Sequence, residues 1–207
     1  MKRFLTLILS IVIALQCTVF ANAVTYEVNS RYSFDLSDDY YMAEENKFIS
    51  KADASNFLVS FEPAADSELC VGDMSDKEIK GFADEMAQAL NSVGAGMNIR
   101  VLSADKVKHP NGKNALSIIL EQSPVGDGTA KYQKVYIFTC VENTITFSYT
   151  TTEKDALSKL DATFDSIEID EKEAGGAADK IKTAVFYAGI FIVLTVVVVL
   201  FVKRRTK

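Results

Sequence analysis

The sequence predicts an α+β domain, in which an antiparallel sheet is covered by helices, followed by a single C-terminal transmembrane helix. Three observations indicate this class. Bulky and polar residues alternate with a period of two over much of the chain, and two stretches carry apolar residues at helical spacing instead. The third is an uncharged apolar run near the C-terminus, which is long enough to cross a bilayer.

The apolar run, residues 183–202, contains no charged residue. A helix rises about 1.5 Å per residue, so this run would span about 30 Å, the thickness of the hydrocarbon core of a membrane. Lys203, Arg204 and Arg205 follow it directly and would stop transfer. Because basic residues favour the cytoplasmic side, we expect residues 203–207 to form a cytoplasmic tail.

Residues 1–23 have the layout of a secretory signal peptide: a basic start, a short apolar run, and small residues at Ala21 and Ala23. We expect cleavage between Ala23 and Val24. Two alternatives remain, a retained N-terminal anchor and a lipoprotein signal ending at Cys17. The apolar run is short for a membrane span, and the residue before Cys17 is not the small one that a lipoprotein signal uses.

Between the two membrane-related ends we expect an extracytoplasmic domain, residues 24–170, and a juxtamembrane linker, residues 171–182. The region 24–182 holds all 28 acidic residues and 16 of the 22 basic ones, so its net charge is −12. Such a surface repels nucleic-acid phosphates, and nucleic acid is therefore not an expected partner.

The first half of the domain predicts strands followed by one long helix. Residues 24–36 predict a hairpin, residues 40–45 a short strand, and residues 56–61 a stronger strand. Ser75 and Glu78 form a capping box that begins a helix, which we expect to end at Val93 before Gly94. One face of this helix is apolar and should pack on the sheet: Ile79, Phe82, Ala83, Met86, Leu90 and Val93.

The second half predicts four consecutive antiparallel strands, residues 99–108, 114–122, 131–141 and 144–152, and then a second helix with Thr152 as its N-cap. The turn His109–Gly112 should take its positive φ angles from Asn111 and Gly112. A loop at Glu142 and Asn143 would pair Tyr136 with Tyr149, Phe138 with Phe147, and Cys140 with Ile145. These six residues would share one face, which the helices should cover.

Two cysteines, Cys70 and Cys140, remain in the mature domain. A disulfide between them is possible in an exported protein, and two buried thiols are the alternative. The predicted register places Cys140 in the core, which favours the thiol unless Cys70 reaches in.

The order of elements resembles the PsbP-like superfamily. The residues that carry the resemblance are RYSFDLSDDYY at 31–41, NFLVSF at 56–61, and the long stretch from Lys134 to Ile169. The family includes an extrinsic photosystem II subunit, a nuclear transport factor that binds a small GTPase, and bacterial envelope lipoproteins. The resemblance implies an α/β/α sandwich and an accessory, protein-binding role without catalysis. It supplies no binding residues, because no functional position of the family matches this chain.

We find no catalytic or cofactor-binding constellation in the sequence. The single histidine, His109, is expected to be a solvated turn residue. One histidine and two distant cysteines do not make the clustered set of ligands that a zinc site needs. Several acidic clusters are expected to be solvated surface, with weak calcium binding as the alternative: Asp38-Asp39, Glu44-Glu45, Asp66-Glu68-Asp73 and Asp127. Ala184 and Ala188 in the apolar run have small-residue spacing, a weak dimerisation signal.

Two hypotheses follow. The first is a non-catalytic, membrane-anchored module that docks a protein partner outside the cell. The second is an envelope hydrolase or transferase that uses carboxylates, with Glu121 and Asp105 as candidates. The second requires two carboxylates that converge in a cleft.

Overall fold

The computed structural model describes residues 23–53, 55–64, 70–93, 96–126 and 128–174. The predicted membrane span, cytoplasmic tail, most of the signal peptide and the later part of the linker lie outside these residues. Within the described ranges, the helices are too short or too polar to cross a membrane. Ala23 and Val24, the predicted cleavage position, lie at the start of the first strand.

The described part of the chain forms ten strands and two α-helices. The strands are β1 Ala23–Asn29, β2 Tyr32–Ser37, β3 Tyr40–Glu44, β4 Lys47–Ser50, β5 Asn56–Pro63, β6 Met97–Lys108, β7 Asn114–Pro124, β8 Lys131–Thr139, β9 Asn143–Thr151 and β10 Glu168–Ile169. The helices are α1 Asp76–Val93 and α2 Lys159–Ser166, and two 3-10 helices, Val71–Asp73 and Lys154–Ser158, precede them.

Seven strands form one antiparallel sheet in the order β3-β4-β5-β9-β8-β7-β6. Helix α1 covers one face of the β6, β7 and β8 side of this sheet, and its apolar stripe packs on Leu116, Ile118 and Leu120 of β7. The predicted capping box is present: the Ser75 N–H donates to Glu78 Oε2 at 2.7 Å. The core face predicted for this helix is therefore confirmed at five buried residues: Ile79, Phe82, Ala83, Met86 and Leu90.

The opposite face of the sheet carries an aromatic cluster. Helix α2 and a separate three-stranded sheet, in the order β1-β2-β10, pack there. Phe34 of β2 lies at the centre, with ring centroids 5.3 Å from Phe57 and 5.6 Å from Phe147. The α+β class is confirmed, but the second face is covered by a small sheet as well as by a helix, and the sequence pattern did not predict that sheet.

The predicted register of the β8–β9 hairpin is wrong by two residues. Phe138 pairs with Ile145 and Tyr136 with Phe147, because the two-residue loop is formed by Val141 and Glu142, one position earlier than assumed. A shift of two residues keeps every side chain on its face. The prediction that these aromatic residues share one covered face is therefore confirmed, and the other face of β8 is covered as well, since Val135 and Ile137 lie in the cluster with α1.

Three local predictions need correction. The chain turns after β3 and returns as β4, with Asn46 in the left-handed region at φ 59°, and this strand was not predicted. The second helix begins as the 3-10 turn, and Thr151, not Thr152, accepts a hydrogen bond at its start from the Glu153 N–H. In the β6–β7 turn only Gly112 has a positive φ, so Asn111 occupies an ordinary turn position.

The first residues of the predicted linker pack on the domain. Residues 170–174, which we call the C-terminal strap, follow β10 and run along the β8–β9 turn. Backbone hydrogen bonds hold the strap: Asp170 N–H to Arg31 O, Val141 N–H to Lys172 O, and Ala174 N–H to Thr139 O, at 2.9, 3.0 and 2.9 Å. The folded unit therefore extends at least to Ala174.

The carboxylate of Glu171 ties the strap to the β8–β9 turn. Partial burial raises the pKa of Glu171, but hydrogen bonds donated by the Tyr32 hydroxyl and by the backbone of Glu142 and Asn143 outweigh it and hold the pKa below its usual value. Burial and the same carboxylate raise the pKa of Tyr32 to about 12. The arrangement fixes an ionised carboxylate at the end of the sheet.

Candidate docking edge

Strand β3 is one of the two outer strands of the seven-stranded sheet. It pairs with β4 on its inner side, and no strand of the described chain pairs with its outer side. In an edge strand, alternate backbone N–H and C=O groups point away from the sheet and can receive another strand. We call β3, with the acidic residues at its two ends, the docking edge.

Two large apolar side chains of β3 are exposed. Met42 is 60 % exposed and Tyr41 is 46 % exposed, on opposite faces of the sheet. Met42 continues an apolar row that crosses the sheet through Phe48, Phe57 and Tyr149. The row is buried from Phe48 onward and becomes accessible only at Met42, so the hydrophobic face of the sheet continues to its outer edge.

The docking edge is acidic at both ends. Asp38 and Asp39 precede β3, while Glu44 ends it and Glu45 follows; all four are exposed. Two lysines lie nearby in sequence: Lys47 Nζ is 3.2 Å from Glu44 Oε1, and Lys51 Nζ donates to the Asp38 carbonyl at 2.6 Å. Residues 37–52 therefore hold four carboxylates and two ammonium groups, a net charge of −2. Of the four carboxylates, Glu44 is the one that forms an ion pair with a lysine.

The other outer strand, β6, is protected. Asn91 of α1 binds both backbone groups of Ile99, donating to its C=O at 2.8 Å and accepting from its N–H at 2.7 Å. Strand β6 has a bulge between Val101 and Ser103 and presents three basic residues, Arg100, Lys106 and Lys108. Bulges, lysines and side-chain caps are the usual means by which proteins block strand addition. Strand β3 shares only the bulge, which lies between Met42 and Glu44.

A buried histidine fixes the far end of β6. His109 is 3 % exposed, and its Nε2 lies 2.6 Å from the Phe164 carbonyl of α2. Its Nδ1 accepts from the Asn111 N–H at 3.1 Å, so the ring is neutral and carries its proton on Nε2. The expectation of a solvated turn histidine is wrong: its ring packs edge-on against Phe138 and Phe164.

Comparison with known proteins rests on structure alone. No family model matches the sequence, and no curated protein matches it. Among solved structures, the domain is similar to the solution structure of cyanobacterial PsbP (CyanoP) from Synechocystis sp. PCC 6803, with a TM-score of 0.56 and 14 % sequence identity. The match covers 72 % of this chain and 93 % of that chain. The chain has a PsbP-like fold.

Within the PsbP-like domain, the two carboxylates considered for catalysis do not converge. Asp105 pairs with Ser117 in the β6–β7 ladder, so it lies about 13 Å along the strand from Glu121 at about 3.3 Å per residue. A side-chain hydrogen bond from Arg100, with an O–N distance of 2.7 Å, holds the pKa of Glu121 below its usual value. Glu121 is thus an ionised partner in a surface ion pair, whereas a general acid needs a raised pKa.

The cysteines of the PsbP-like domain lie in different surroundings. Cys140 packs in the aromatic cluster, is 1 % exposed and has a free thiol, whose pKa burial raises to about 12. Cys70 precedes Val71, which packs in the α1 cluster on the other face of the sheet. Cys140 lies in the core, as predicted. The disulfide between Cys70 and Cys140 stays a hypothesis for oxidising conditions.

The acidic clusters fall into two groups. Asp66, Glu68 and Asp127 lie outside the described residues. Among the described residues, no three carboxylate, histidine or cysteine side chains are placed to hold a metal ion. The clusters Asp38-Asp39 and Glu44-Glu45 instead flank β3, and sequence reasoning missed this because β4 was not predicted. The run Tyr40-Tyr41-Met42 between two acidic pairs was the available signal.

Proposed function

We propose that this protein is a non-catalytic accessory module of the cell envelope, anchored in the membrane by residues 183–202, whose PsbP-like domain docks a protein partner outside the cell. The resemblance of the sequence to accessory proteins supports the absence of catalysis. The apolar run, its basic flank and the N-terminal signal pattern support the location.

The observation that carries the proposal is the docking edge. A soluble domain with a net charge of −12 on residues 24–182 would be expected to keep its outer strands charged, yet β3 exposes Tyr41 and Met42. Exposed apolar side chains on an open strand favour association, and native proteins keep such edges when a partner covers them.

The location is tested by adding protease to intact cells that produce the full chain with a C-terminal tag. We expect loss of the domain and retention of a small, tagged, membrane-embedded fragment. A domain that resists protease in intact cells and is cleaved after lysis contradicts the proposed orientation. A mature protein found free in the medium contradicts the anchor.

The docking role is tested by purifying the full chain from native membranes solubilised in mild detergent. We expect one protein to co-purify in a fixed ratio, and the ratio to fall in a variant that carries Tyr41→Ser and Met42→Ser. The matched control carries Asp84→Ser and Glu85→Ser, two exposed positions of α1. A chain that always purifies alone contradicts a docking role.

A further inference from the structure

We propose that the docking edge is completed by an added strand from the partner, and that this strand is apolar at its centre and basic at both ends. The inference rests on the proposed function and adds to it the chemistry of the partner. It assigns a segment of about five to seven residues, because β3 has five residues and strands rise about 3.3 Å per residue.

The backbone of β3 sets the mode of binding. Its inner hydrogen-bonding groups pair with β4 in regular register from Tyr40 to Met42, before the bulge between Met42 and Glu44. Over this stretch the outer groups of an edge strand have the spacing that an extended peptide requires. Strand addition to a sheet edge gives affinity through main-chain hydrogen bonds and specificity through alternate side chains.

The cross-strand rows set the centre of the added strand. Beside Met42 it would continue the row Met42, Phe48, Phe57 and Tyr149, so an apolar residue is required there. The adjacent residue of the added strand would lie beside Tyr41, on the opposite face of the sheet, where Tyr41 pairs with Ile49 of β4. Aromatic and β-branched pairs across strands are the favourable ones.

The carboxylates at the two ends set the charge of the added strand. Asp38 and Asp39 lie at one end of β3, and Glu44 and Glu45 at the other, so lysine or arginine residues at both ends of the partner strand would face opposite charges in either strand direction. Exposed pairs of this kind contribute modestly to affinity but fix register and discriminate among partners.

The same charges disfavour a second copy of this chain. In an antiparallel pairing of two β3 strands about Met42, Asp39 of one copy would lie beside Glu45 of the other, and Tyr40 beside Glu44. Like charges placed directly opposite each other destabilise a strand pair. The acidic ends therefore select a basic partner strand over self-association.

The experiment uses the full chain in detergent micelles and two synthetic peptides as probes, Lys-Val-Thr-Val-Thr-Val-Lys and the same peptide with glutamate at both ends. We expect the basic-ended peptide to bind about three- to tenfold more tightly at low ionic strength, and 0.5 M salt to remove the difference. Hydrogen exchange should slow in residues 40–44 when the basic-ended peptide is present.

A charge-reversal variant, Asp38→Lys with Glu45→Lys, should invert the preference between the two peptides. Its matched control, Asp84→Lys with Glu85→Lys, makes the same change of net charge on α1 and should leave the preference unchanged. Neither pair of side chains is buried, so both variants should fold.

Several results would overturn the inference. These are equal binding of the two peptides, protection of β6 instead of β3, protection of residues 40–44 before any peptide is added, and a full chain that forms dimers through β3. A partner that co-purifies equally with the wild type and with the Asp38→Lys, Glu45→Lys variant would also overturn it and leave the docking role standing. Failure of co-purification altogether contradicts the docking role itself.

Discussion

The two outer strands of the main sheet differ in what covers their backbone. Strand β6 is clamped by Asn91 near one end and by His109 just beyond the other, and it presents basic side chains along its length. Strand β3 is shorter, carries no basic residue, and exposes Tyr41 and Met42.

The difference indicates that protection of a sheet edge is local and selective. Both strands end the same sheet and face the same solvent, so composition alone does not explain why one is blocked and the other is open. This difference is what the proposed docking role requires, because β6 is blocked and β3 is open to the proposed partner.

The largest expected effect comes from removing the anchor at the end of β6. His109→Ala leaves a cavity among Phe138 and Phe164 and a buried Phe164 carbonyl without its donor, which should lower the free energy of unfolding by about 3 kcal/mol. Urea denaturation of the full chain in micelles measures it. Lys108→Ala, at the neighbouring exposed position, is the control, and a loss as small as the control's would show that the histidine does not hold this end.

Truncating the exposed apolar residues of β3 should affect binding and leave folding intact. The double variant Tyr41→Ser, Met42→Ser should lose about 2 kcal/mol of binding free energy, or about thirtyfold in affinity, since two partly exposed side chains would be buried by the partner. Affinity for the co-purified partner is measured by titration on immobilised full chain. Unchanged affinity would mean that β3 is not the contact surface.

Opening the β6 edge should make it resemble β3. Asn91→Ala leaves the N–H and C=O of Ile99 without their side-chain partner, which should cost about 1 to 2 kcal/mol of stability and permit self-association through β6. Denaturation and sedimentation velocity at several concentrations measure the two consequences. The control Gln88→Ala, on the exposed face of the same helix, should change neither stability nor association. An Asn91→Ala variant as stable and as monomeric as this control would contradict the protection of β6 by Asn91.

The smallest effect concerns the charge on the protected edge. Arg100 holds the pKa of Glu121 below its usual value, so Arg100→Gln should raise that pKa toward the ordinary 4.5. At a pH just below 4.5 more of Glu121 would then be protonated than in the wild type. NMR titration of the side-chain carboxyl carbon measures it, with Glu78 as the internal reference, because its pKa is lowered by Ser75 instead. A Glu121 pKa that is the same in Arg100→Gln and in the wild type would show that the ion pair is not formed in solution.

Much of the fold could be predicted because its signals are local. The capping box at Ser75 and Glu78 begins α1, and the alternation around Tyr136 and Phe147 predicts which side chains of β8 and β9 share the aromatic face. The exact pairing of that hairpin was not predictable to within two residues, since shifts of two leave the pattern of faces unchanged.

The candidate site was less predictable. Tyr41 and Met42 look like ordinary strand residues in the sequence, and only the strand order shows that β3 is an outer strand. His109 looked solvated because its neighbours in sequence are turn residues, whereas the groups that bury it belong to β8 and α2.

The sequence by itself determined the class of the domain, the apolar face of α1, the aromatic face of β8 and β9, and the expectation of a membrane anchor, since these depend on periodicity and on the length of an apolar run. The tertiary structure decided which strands lie at the edges, where the acidic pairs meet them, and that His109 is buried. Those properties depend on contacts between separate elements, such as the hydrogen bond between His109 and Phe164, which lie 55 residues apart, and no local pattern encodes them.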